Sequence, residues 1–68
     1  MPERLLNRLR DERAQRNLTQ ADLATLALVS RKTINTVENG VFIPSTTLAL
    51  RLARVLGTTV EALFQIGE

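Results

Sequence analysis

Apolar residues recur along this chain in short stripes at helical spacing, and each stripe is bounded by residues that start or stop a helix. Leu5, Leu6 and Leu9 share a face and predict a first helix from about residue 3 to 16. That face turns charged through Glu12, Arg13 and Arg16, and Asn17 suits a left-handed stop. Thr19, with Asp22 three residues later, resembles a capping box, so a second helix starts there; Leu23, Ala24 and Ala27 give it a small-residue inner face. It ends near Leu28, and Ser30 opens a third helix that Gly40 closes. Val41 to Pro44 is extended, because proline restricts the residue before it. Ser45 caps a fourth helix with the stripe Leu48, Ala49, Leu52, Ala53 and Leu56, closed by Gly57. Thr59 can cap a last short helix holding Val60, Leu63 and Phe64. The pattern predicts an all-α domain of five short helices spanning residues 1–68.

Composition supports this reading and narrows it. The chain is 44% hydrophobic but only 3% aromatic, with Leu and Ala dominant, which favours packed helices over a β-sandwich. A domain of 68 residues buries only about 60% of the surface its unfolded form exposes, so its core must be efficient. With no cysteine, neither disulfides nor thiolate metal sites can help. No apolar run approaches the roughly 18 residues of a membrane span and no signal-peptide pattern opens the chain, so a soluble, cytoplasmic protein is expected. The net charge of +2 permits nucleic acid as a partner without arguing strongly for it.

Enzyme chemistry is poorly supported. The chain lacks His, Cys, Trp and Tyr, shows no nucleophile–base spacing and has no glycine-rich phosphate loop. Its acids are scattered rather than clustered, so neither a metal nor another cofactor is expected.

The third helix is unusual. Only Ile34 and Val37 form its apolar stripe, while Lys32, Asn35, Thr36 and Asn39 share the opposite side. Two short helices joined by a tight turn make a helix-turn-helix, whose second helix can enter a major groove about 12 Å wide. For that task the inner stripe needs only to hold the helix on the domain, and the outer face must carry donors and acceptors. Arg31 and Lys32 could instead be a solvated helix start. Cations at a helix N-terminus are unfavourable by typically 0.3–1 kcal/mol, so a purely structural role does not favour them.

The combination of LTQ, LA, VSRKTIN, ENG, PS and LAL…LA at this spacing resembles the Cro-like, or Xre-type, phage-repressor helix-turn-helix family, from about Leu5 to Phe64. The resemblance implies a lambda-repressor-like domain that binds double-stranded DNA. It implies phosphate contacts from Gln20 and Asn39, with Thr19 and Ser30 capping helices and offering donors to the DNA backbone. It places Arg31, Lys32 and Thr36 where the family reads bases, with Thr33 and Asn35 nearby. It also implies a partly buried ion pair between Arg13 and Glu38; the bland alternative is two unrelated surface charges. For Thr36, contact with a thymine methyl and simple exposure both stay open. The chain departs from the family pattern at Leu28 and Asn17, where glycine is common, and at Ala27, Glu12 and Val41.

One module makes few contacts, so a homodimeric repressor on a near-palindromic operator is expected. Leu50, Val55, Val60, Phe64 and Ile66 are the candidate interface, in and near the 57–68 segment. Alternatively, Val60 and Phe64 only complete a monomer core. The run Val41-Phe42-Ile43 reads most simply as a seal under the core; the sharper reading is a partner patch together with Leu26 and Leu28. The competing function is an antitoxin-like or degenerate module acting mainly through a protein partner.

Overall fold

The computed structural model describes residues 3–67; Met1, Pro2 and Glu68, at the ends of the expected 1–68 domain, lie outside the described residues. The elements in chain order are β1 (Arg4–Asn7), α1 (Leu9–Gln15), α2 (Gln20–Ala27), α3 (Arg31–Glu38), α4 (Thr46–Leu56), α5 (Val60–Leu63) and β2 (Phe64–Gly67). Five helices form, but the domain is not purely all-α. β1 and β2 pair antiparallel, with Leu5 opposite Ile66 and Asn7 opposite Phe64.

That sheet corrects both ends of the sequence reading. Leu5 and Leu6 do not continue the face of Leu9 on one helix. They alternate across a strand, with Leu5 packed on the core and Leu6 outward. The first helix begins at Leu9, where the Asn7 side-chain oxygen accepts the Leu9 N–H at 3.2 Å. The last helix stops at Leu63, and Phe64 is extended, at φ −130° and ψ 133°. The Arg8 N–H donates to the Leu63 carbonyl at 2.8 Å, joining the two ends below the sheet.

The middle follows the capping signals. Thr19, Ser30, Ser45 and Thr59 each accept an N–H from inside the helix they open. Gly40 and Gly57 take left-handed conformations at φ 73° and 67°, and Asn17 and Leu28 do so without being glycine, at 57° and 62°. One core results: Leu9, Leu23, Ile34, Leu52 and Leu63 are fully buried, each contributed by a different helix. Ala24, Ala27, Ala49 and Ala53 are buried beside them, and such small side chains let helices approach closely without large voids. No helix among the described residues is long and apolar enough to cross a membrane.

Val41, Phe42 and Ile43 do not seal the core; they are 77%, 47% and 71% exposed. The reason is local. The N–H groups of Val41 and Phe42 both donate to the Thr36 carbonyl, at 2.9 and 3.1 Å, so the chain after Gly40 folds back along the outside of α3.

Candidate nucleic-acid interface

The turn between α2 and α3 fixes the geometry of the face. α2 opens on a complete capping box: Thr19 accepts the Asp22 N–H at 2.9 Å, and the Asp22 carboxylate accepts the Thr19 N–H at 3.0 Å. That backbone donor holds the Asp22 carboxyl below its ordinary range. α2 ends at left-handed Leu28, and the Val29 N–H returns to the Ala24 carbonyl at 3.0 Å. Arg51 of α4 donates to the Ala27 carbonyl at 3.0 Å, closing the end of α2. Ser30 then starts α3 by accepting the Thr33 N–H at 3.1 Å.

On α3, Ile34 and Val37 are buried, which leaves a continuous outer face. Arg31, Lys32 and Asn35 are exposed, and with Gln20 from α2 they line one shallow depression. Thr33 and Thr36 are half-buried on the flanks, and their hydroxyls are engaged locally: Thr33 with Ser30 at 3.0 Å, Thr36 with the Lys32 and Thr33 carbonyls, both at 3.0 Å. Thr19 and Ser30 lie exposed at the two helix starts.

Behind this face sits a buried carboxylate. The Glu38 side chain has no solvent exposure, and Arg13, only 15% exposed, donates to it at 2.6 and 3.2 Å. Arg13 also donates to the Leu18 carbonyl at 2.8 Å, Gln20 donates to Glu38 at 3.0 Å, and the Arg10 guanidinium lies 3.5 Å away. Burial alone pushes the Glu38 carboxyl up. The hydrogen bonds from Arg13 and Gln20 and the Arg13 charge outweigh it, so the group is held below the ordinary glutamate range. The same hydrogen bond raises Arg13. Glu38 is the one acid on α3, and it is neutralised in place, so the outer face presents cations and amides.

Gln20 and Asn39 are thereby positioned rather than loose. Gln20 is tethered to Glu38. Asn39 accepts from Arg10 at 2.8 Å and donates to Asn35 at 3.2 Å. Arg10 was missed by the sequence reading, although its spacing of three residues from Arg13 puts both on one face of α1. Asn7 and Arg51 were missed too, because their roles depend on backbone carbonyls 30 and 24 residues away.

The candidate interface residues divide. Leu50, Val60 and Phe64 line one open apolar groove with Ile43, while Val55 and Ile66 lie outside it. Phe64 is 8% exposed and belongs to the core, so its ring offers a second chain little surface. No cluster of potential metal ligands occurs among the described residues.

The pattern of a helix-turn-helix family matches residues 9–63. An uncharacterized HTH-type transcriptional regulator of Methanocaldococcus jannaschii is 45% identical over 58 residues, covering 85% of this chain and 88% of that protein. One of Archaeoglobus fulgidus is 39% identical over 61 residues, covering 90% and 86%. Among solved structures, that of Fe(II) HppE matches at 36% identity and a TM-score of 0.77 over 84% of this chain. The hydroxypropylphosphonic acid epoxidase of S. wedmorenis matches at 36% identity and a TM-score of 0.73 over 79%. The chain spans only 30% and 29% of those two solved chains.

Proposed function

The chain belongs to the Cro-like, or Xre-type, helix-turn-helix family, and from that premise we propose that it is a sequence-specific regulator of transcription that binds double-stranded DNA. It docks α3 in the major groove, reads bases with Arg31, Lys32 and Asn35, flanked by Thr33 and Thr36, and holds phosphates with Gln20 and Asn39 and the caps at Thr19 and Ser30. The observation that carries this reading is one surface: Arg31, Lys32, Asn35 and Gln20 share a depression while the only acid of α3 is buried and paired. Arg and Lys pair with guanine O6 and N7, Asn with adenine N6 and N7, each good contact discriminating by about 1–3 kcal/mol. The protein is not an enzyme in this reading: the part of the epoxidase that it matches is under a third of that chain, and its own residues offer no reacting group. It works in the cytoplasm, where the DNA is.

A single module of this kind binds DNA non-specifically with dissociation constants of about 10⁻⁴–10⁻⁶ M, too weak to choose a site. The proposal therefore includes a homodimer on a near-palindrome with half-site centres about 34–36 Å apart. Its contact is the groove lined by Leu50, Val60 and Ile43, where Leu50 and Ile43 are 58% and 71% exposed. Such a dimer represses by occupying its site.

A binding selection on random duplex DNA, then a salt titration on the selected site, tests this. The expected result is a two-fold symmetric site, lost in the Arg31→Ala/Lys32→Ala variant, whose residual binding is salt-sensitive and without sequence preference. Weak binding without sequence preference, equal in the variant, refutes it.

A further inference from the structure

Beside the base-reading face lies a small apolar notch, lined by Lys32, Thr33 and Thr36 of α3 and by Val41 and Phe42. It is built, not incidental: both Val41 and Phe42 hang from the Thr36 carbonyl, which fixes them against α3 at the end of the helix. Thr36 turns its hydroxyl back onto the Lys32 and Thr33 carbonyls, and Thr33 engages Ser30. Thr36, whose hydroxyl hydrogen goes to its own helix, offers a ligand its γ-methyl and an acceptor oxygen but no donor. The notch is thus lined by two threonines, a valine and a phenylalanine, with Lys32 beside them.

We propose that this notch reads the 5-methyl group of a thymine in each half-site. The inference rests on the DNA-binding reading above and adds to it a base identity and two residues, Val41 and Phe42. In the major groove the thymine methyl is the one apolar group a base pair presents, and threonine methyl and phenylalanine are among the side chains that contact it. The location argues for this occupant over a protein. The notch shares Lys32 with the depression formed by Arg31, Asn35 and Gln20, so a duplex engaged by that depression passes over it. Lys32 gives the rim the charge complementary to the neighbouring phosphates.

The experiment uses the full chain and the site recovered by the binding selection, with each thymine replaced in turn by deoxyuridine, which removes the methyl and nothing else. At one position per half-site the replacement weakens binding about fourfold, the worth of burying one methyl group. Thr36→Ser and Val41→Thr, which delete or polarise one methyl each, weaken the thymine site to a similar degree and no longer distinguish thymine from uracil there. If uracil is accepted at every position, or if Thr36→Ser keeps the full discrimination, the notch does not read DNA and Val41 and Phe42 return to the reading of a protein-partner patch. A selected site without thymine overturns the inference likewise. If no site is selected at all, the DNA-binding reading itself fails, and this inference with it.

Discussion

A carboxylate without solvent exposure persists at Glu38 because donors surround it: Arg13 at 2.6 Å, Gln20 at 3.0 Å and Arg10 at 3.5 Å. Such a pair adds little net stability, but removing one partner costs about 3–5 kcal/mol. Arg13→Ala is therefore expected to destabilise by about that much in urea denaturation, a large share of the roughly 5–15 kcal/mol available to a small domain. The pH dependence follows from the direction of the shift. Folded Glu38 is held below its unfolded value, so the unfolded state takes up the proton first. Its contribution is fully present above about pH 4.3, the ordinary glutamate value, and is lost as pH falls through the lower folded value. Glu38→Gln should be less stable at neutral pH and should flatten that acid limb. Leu28 is the opposite case, a cost without a partner. It holds φ 62° and is 77% exposed. Left-handed backbone costs a non-glycine residue roughly 1–2 kcal/mol, and glycine gives back part of that through a freer unfolded chain. Leu28→Gly is expected to raise stability by about 0.5–1 kcal/mol, seen as a melting temperature several degrees higher.

At the scale of elements, Asn7 shows how a strand and two helices depend on one another. Its oxygen accepts the Leu9 N–H that opens α1, and its amide donates to the Val37 carbonyl near the end of α3. Asn7→Ala is expected to cost about 1–2 kcal/mol, the loss of two hydrogen bonds, one from the first N–H of α1 and one to a carbonyl, and to loosen α3. Amide hydrogen exchange at the end of α3, compared with that in α4, measures this. Asn7 also marks the limit of what the sequence discloses. The helix starts at Thr19, Ser30, Ser45 and Thr59 were legible because a cap is local: hydroxyl and N–H lie within three residues. The helix-turn-helix and its outer face were legible for the same reason. The sheet was not. Leu5, Leu6 and Leu9 fit a helical face as well as an alternating strand of four residues, and only pairing with Phe64–Gly67, some 60 residues on, decides between them. The position of Val41 and Phe42 was equally hidden, since it depends on two bonds to one carbonyl after a left-handed glycine.

At the scale of the whole molecule, the question is how so small a surface selects a site. The groove lined by Leu50, Ile43 and Val60 carries Arg54 and Glu61 on its lining, one charge of each sign. A second copy related by a two-fold axis can set Arg54 of one chain against Glu61 of the other, twice, around an apolar centre. Arg54→Glu and Glu61→Arg, taken singly, would place like charges across that axis. Each is expected to weaken dimerisation by about tenfold or more, roughly 1.4 kcal/mol per factor of ten, and to lower operator affinity in step. The double variant restores opposite charges and should recover both. Sedimentation equilibrium reads the first quantity, binding to a full and to a half operator the second. The difference between single and double variants should shrink at high salt, because rim charges are screened over about 10 Å at 0.1 M. If the single variants associate as the parent does, the contact lies elsewhere, on the exposed Ile66 or beside Val55. If the parent stays monomeric at high concentration, without DNA and with it, the homodimer falls, and selectivity would have to come from a different partner bound beside it on the duplex.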